Sequence, residues 1–108
     1  MKLAVFLLPQ AEADIDDHFA YIAIDSVEAA LNFESAVFES LNQLCMNPLV
    51  GSERIFAHPR LSGLRMWIVK GFENYLIFYR PLETHIELIR VLHTAQDRDS
   101  ILDADLGS

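Results

Sequence analysis

The sequence predicts an α+β domain, an antiparallel helical hairpin packed on a small, mostly antiparallel β-sheet, with elements in the order β-α-α-β-β-β. Three observations predict it. Between residues 11 and 45, apolar side chains recur at intervals of three and four. Between residues 65 and 93, three short apolar and aromatic runs are separated by turn residues. The chain has 108 residues, 52% of them hydrophobic, a length that fits one domain spanning 1–108. A domain this small should have helices and sheet share a single apolar layer.

Residues 3 to 8, LAVFLL, read as a short strand, and Pro9 follows where a helix can begin because its missing N–H costs nothing at the first helical position. Ala11, Ile15, Phe19 and Ile22 then fall on one helical face, with Asp14, Asp17 and His18 largely off it. A second helix starts near Asp25 to Glu28, where Asp25 with Glu28 resembles a capping box and Ser26 is the alternative cap. Its apolar stripe is Ala30, Phe33, Val37, Leu41 and Leu44, widened by Phe38 and Cys45, and Asn47-Pro48 ends it. Residues 49 to 63 carry a proline and glycines and read as a loop. RMWIVK (65–70), YLIFYR (75–80) and HIELIRVLH (85–93) read as three strands joined by two hairpin turns. The last two do not alternate cleanly, as expected of strands buried on much of both faces. A short helix is expected over 97–105.

The net charge of −8 is unevenly spread. Residues 1–50 hold one cation, Lys2, against eight acids, whereas residues 51–95 hold six cations, Arg54, Arg60, Arg65, Lys70, Arg80 and Arg90, against four acids. The acids of the first half are expected on solvated outer helix faces. Nucleic-acid binding leans on clustered Lys and Arg, which only the middle segment offers. A single cysteine, Cys45, excludes an internal disulfide and argues for a reducing cytoplasm. The N-terminal apolar run is too short for a signal peptide and is followed at once by acids, and no run approaches a membrane span. His18, His58, His85 and His93 lack metal-ligand spacing, so neither metal nor cofactor is expected.

Several polar residues sit among apolar ones. Arg80 precedes Pro81 and should close a strand, Arg65 and Lys70 bracket a run whose Trp67 should be core, Arg90 is placed to pair with Glu87, and His93 reads as a hydrogen-bonded edge histidine.

The arrangement PQAEADIDDHFAYIA, EAALNFESAVFESLNQLCMNP, LRMWIVKGFENYLIFYRP and IELIRVLHTAQD resembles the RelE/ParE superfamily of bacterial type II toxins, and its ParE branch more closely, over nearly the whole chain. The resemblance implies a RelE/ParE-like fold and a cytoplasmic toxin held in a hetero-oligomer by a cognate, ParD-like antitoxin. It implies DNA gyrase as the target. The alternatives are a RelE-like ribosome-dependent mRNA endonuclease, or a non-toxic relic that keeps antitoxin binding. RelE-type toxins place arginine in the penultimate strand and basic residues after the last one; this chain has Tyr75, Thr94 and Ala95 there. If it is a nuclease, its catalytic candidates are Arg65, Tyr75, Arg80, Arg90 and His93, which offer a base and cations for one phosphate. The antitoxin is expected on Phe19, Ile22, Phe38, Leu41, Trp67 and Arg65. Target contact is expected from Arg90, His93, Asp97 and Arg98, within a segment reaching Leu106.

Overall fold

The computed structural model describes residues 2–53 and 62–106; Arg54, His58 and Arg60 lie outside them. The chain runs β1 (Ala4–Leu7), α1 (Pro9–Asp25), α2 (Val27–Met46), β2 (Ser52–Glu53), β3 (Arg65–Ile68), β4 (Tyr75–Pro81), β5 (His85–His93) and α3 (Arg98–Leu106). Three helices pack on one five-stranded mixed sheet of order β1-β5-β4-β3-β2. All neighbours are antiparallel except β1 and β5, which run parallel from Ala4 opposite His85 to Leu7 opposite Leu88.

The helix boundaries follow local chemistry. Pro9 opens α1, and Ser26 both ends α1 and caps α2, its Oγ accepting from the Ala29 amide at 3.1 Å. Asn47 caps the C-terminus of α2 before Pro48. The turn between β3 and β4 uses Gly71 at φ +85°, a left-handed conformation that a side chain resists. The two-residue β2 falls inside the segment expected to be loop. Being so short, it carries no periodicity that a sequence pattern can show.

Side chains of β4 alternate between two apolar layers rather than the single one expected. Tyr75, Ile77 and Tyr79 join the cluster under the hairpin with Ile15, Phe33, Val37, Leu41, Leu44 and Val91. Leu76 and Phe78 face the other way, with Leu64, Ile89 and Leu92, under Leu102 of α3. This explains the unbroken apolar run YLIFY: the strand is covered on both faces. The register shifts between Phe78 and Tyr79, placing Tyr79 opposite Leu88 and Phe78 opposite Arg90, a β-bulge that bends the strand pair. Phe38 does not widen the core stripe of α2, because it is 46% exposed, whereas Cys45 is buried.

Tyr79 ties the end of α2 to the sheet. Its ring is fully buried, and its hydroxyl donates to the Pro48 carbonyl at 2.8 Å and accepts from the Gly51 amide at 2.9 Å. A Cβ at Gly51 would lie 2.7 Å from the Tyr79 ring and 2.9 Å from the Met66 carbonyl oxygen, so close approach of backbone to ring requires glycine here. Burial pushes the Tyr79 phenol above its ordinary value, opposed by the Gly51 hydrogen bond and by Arg65. The folded state therefore keeps the proton after the unfolded chain begins to lose it near pH 10, and stability falls as pH rises through that range. Tyr79→Phe strands the buried Gly51 amide and the half-buried Pro48 carbonyl and should cost about 1–3 kcal/mol at neutral pH. It should also flatten the alkaline decline; urea titrations of both proteins from pH 7 to 11 check it, and parallel declines would show that Tyr79 is not its source.

Candidate functional site

The free edge of β5 is where sequence and structure differ most. β1 ends at Leu7, opposite Leu88, and its pairing closes with the Leu8 amide donating to the Leu88 carbonyl at 3.1 Å. β5 continues to His93. Two side chains of α1, one helical turn apart, take over from the missing strand. Asp14 Oδ2 accepts from the Val91 amide at 2.9 Å, and His18 Nε2 donates to the Val91 carbonyl at 2.8 Å. A helix thus supplies one acceptor and one donor at i and i+4 to both backbone groups of one edge residue. The same carboxylate receives the Arg90 guanidinium in a forked pair, Nε to Oδ2 at 2.6 Å and Nη2 to Oδ1 at 2.7 Å. Asp14 is buried, contrary to its expected place on a solvated face, and Arg90 pairs with it rather than with Glu87. The cross-strand position of Glu87 belongs instead to Arg80, which is half-buried near the end of β4 as expected.

At the far end of the β4-β5 pair, Tyr75 stands opposite His93, with ring centroids 4.9 Å apart at 85°. The other contacts of the Tyr75 ring are His18 at 4.9 Å and Phe33 at 4.8 Å. Burial, and secondarily Tyr21, pushes the phenol above its ordinary value, so it stays protonated at neutral pH. His93 is the hydrogen-bonded edge histidine expected of it: its amide donates to Gln96 Oε1 at 2.7 Å and its Nδ1 accepts from the Ala95 amide at 3.0 Å. That acceptor role places the proton of the neutral ring on Nε2. Arg65 is occupied elsewhere, with Nη1 donating to the carbonyls of Gly51 at 2.8 Å and Leu49 at 3.2 Å, and with Nη2 3.8 Å from Glu53.

The five catalytic candidates therefore do not converge. Arg65 stands opposite Tyr79, four residues along β4 from Tyr75, a separation of about 13 Å at strand rise. Arg90 is drawn to α1. Among the residues expected to meet an antitoxin, Leu41 is core at 2% exposure and cannot be a surface contact, because α2 points it at the sheet. Phe19, Ile22, Trp67 and Arg65 are half-buried, and Phe38 is exposed. Of the target candidates, Asp97 starts α3, its Oδ1 accepting from the Ser100 amide at 3.3 Å and its Oδ2 from the Ser100 hydroxyl at 2.8 Å. Arg98 is half-buried in the first turn, and Leu102, farther along the same segment, is buried against the sheet. No group of three or more His, Cys, Asp or Glu among the described residues is placed to hold a metal ion. No described helix is long and apolar enough to cross a membrane.

Sequence reasoning missed Asp14 and His18 as edge clamps. The only signal was their i, i+4 spacing beside the apolar stripe, which many solvated helix faces share.

The family model described as ParE toxin of type II toxin-antitoxin system, parDE, matches residues 5–98. No curated protein sequence matches the chain. A solved structure described as the chromosomal ParDE TA system from P. aeruginosa is similar at 19% identity and a TM-score of 0.67, covering 85% of this chain and 96% of that one. At that identity the likeness speaks for the fold, including the layering of helices on sheet described above.

Proposed function

This chain belongs to the ParE toxin family of type II toxin–antitoxin systems, and on that premise we propose that it acts in the cytoplasm by binding DNA gyrase, and that a cognate ParD-like antitoxin neutralises it. It acts by contact rather than by cutting RNA. The observation that carries this reading is the dispersal of the polar residues. RNA cleavage at a ribose 2′-OH needs a proton acceptor and a cation at one phosphate. Here the Arg90 guanidinium is held by Asp14 and Arg65 is bound to backbone carbonyls, while the Tyr75 phenol keeps its proton and His93 Nδ1 accepts a backbone amide. Inhibition by binding requires no such convergence, since affinity comes from a surface patch. The patch proposed for the target is His93 with Asp97 and Arg98, seated on the edge that Asp14 and Arg90 hold in place.

Induction of the chain without antitoxin should stop growth by blocking replication, and purified chain should inhibit supercoiling by purified gyrase while messenger RNA stays intact. Arg98→Ala should weaken that inhibition and leave co-purification with the antitoxin unchanged. Cleaved transcripts on translating ribosomes with normal gyrase activity would replace this reading with the nuclease. Undisturbed growth with retained antitoxin binding would identify a non-toxic relic.

A further inference from the structure

The turn that joins β5 to α3 consumes side-chain acceptors with its own backbone and leaves side-chain donors unused. His93 Nδ1 accepts from the Ala95 amide at 3.0 Å, and Gln96 Oε1 accepts from the His93 amide at 2.7 Å. A backbone N–H only donates, so these two bonds settle both assignments: the neutral imidazole carries its proton on Nε2, and the Gln96 amide is left with its NH2. The backbone pins the same segment, with the Thr94 amide donating to the Asn74 carbonyl at 2.8 Å and the Gln96 amide to the His93 carbonyl at 2.9 Å. The Tyr75 ring, 4.9 Å from the imidazole and at 85° to it, fixes the imidazole plane. Neither His93 Nε2 nor Gln96 Nε2 has a hydrogen-bond partner among the described residues, and neither is sealed from solvent.

Two uncharged donors held in place before any partner arrives are a recognition element for an acceptor, because binding then costs little further side-chain ordering. The neighbouring charges decide which acceptor. Asp97 and Asp99 lie within three residues of Gln96, only Arg98 stands between them, and the whole chain carries −8. An approaching carboxylate or phosphate meets charge of its own sign, whereas a neutral carbonyl oxygen does not.

We propose that His93 Nε2–H and the Gln96 side-chain NH2 donate to main-chain carbonyl oxygens of the target protein, and not to a carboxylate or to a phosphate of target-bound DNA. The inference rests on the reading of the chain as a toxin that acts by contact. It adds Gln96 to the contact patch, names the donating atoms and gives the chemistry of the group they bind. Thr94, Ala95 and Asn74 serve the turn through their backbones, so the specificity of the contact lies in the two side chains.

The test uses the full chain and two readouts, the concentration that halves supercoiling by purified gyrase and the inducer level that halves growth. An asparagine oxygen reaches the place of Nδ1, and a glutamine NH2 reaches the place of Nε2, so the two substitutions separate the two faces of the ring. His93→Asn keeps the acceptor for Ala95 and loses the outward donor; potency should fall about tenfold with the urea midpoint held. His93→Gln keeps the donor and loses the acceptor, so it should unfold at lower urea yet recover potency to within about threefold of the parent. Gln96→Glu keeps an oxygen for the His93 amide and removes the NH2, and should also lose about tenfold. Asp99→Lys should move potency by less than about threefold, because the bound group carries no charge. His93→Asn more potent than His93→Gln would show that the ring only builds the turn, and would overturn the donor role. A gain of about tenfold with Asp99→Lys would make the acceptor an anion and overturn the carbonyl assignment. If the parent arrests growth without inhibiting gyrase, the target reading fails and the same ranking, read from growth, decides the donors. A parent chain that leaves both growth and gyrase undisturbed would overturn both.

Discussion

Leu41→Asp should yield a chain without a folded core, whereas Phe38→Asp, three residues away on the same helix, should fold normally. Leu41 is 2% exposed in the cluster that includes Ile15, Phe33 and Val37. Truncation there to alanine removes packing worth about 2–5 kcal/mol, which a domain stable by roughly 5–15 kcal/mol survives. Aspartate loses the same packing and also places a carboxylate where no cation or donor awaits it, an added cost of several kcal/mol that exhausts the stability. Phe38 is 46% exposed, so a carboxylate there stays hydrated. Circular dichroism and thermal melts of the three variants check this. A cooperative melt for Leu41→Asp near that of the parent chain would mean that α2 does not present this face to the sheet.

Asp14→Ala should be the most damaging substitution of a polar residue, costing about 3–5 kcal/mol. The change takes the forked carboxylate away from the Arg90 guanidinium, whose side chain is only 12% exposed, and removes the acceptor of the Val91 amide on an edge that no described strand covers. Breaking a buried pair from one side costs more than replacing both partners, so Asp14→Ala combined with Arg90→Met should recover part of the loss. Asp14→Asn keeps an oxygen for the Val91 amide and should fall between parent and alanine. In urea, where small domains lose about 1–3 kcal/mol per molar, Asp14→Ala should lower the midpoint by roughly 2 M. A fall of less than a few tenths molar would show that the pair does not hold the β5 edge. His18→Ala removes the donor to the Val91 carbonyl and leaves the Asp14–Arg90 pair in place, and its smaller expected loss would separate the two halves of the clamp.

How far the fold was legible in the sequence follows from the range of the interactions. Both long helices, their junction at Ser26 and the end at Asn47 appear as read, because capping and the spacing of Ala30, Phe33, Val37, Leu41 and Leu44 act within a few residues. The strand 85–93 matches in full, and the terminal helix lies within one residue of its expected bounds. Hydrophobicity alone puts Phe38 and Leu41 on one broad stripe of α2; their position relative to the sheet separates them. For the candidate site, the sequence supplied the edge role of His93. It did not supply the partner of Arg90, since Glu87 was near in sequence and Asp14 lies 76 residues away.

By itself, the sequence determined the α+β class, the amphipathic hairpin, the four longer strands and the split of charge, because each rests on periodicity or composition that a short window contains. Only the tertiary structure decided the parallel pairing of β1 with β5, the second apolar layer under α3, and the use of Asp14 and His18 to complete the β5 edge. The physical reason is length mismatch in space: β1 stops at Leu7 while β5 runs to His93, and the buried Val91 amide and carbonyl, beyond the reach of β1, had to be satisfied by whatever the packing of α1 brought beside them.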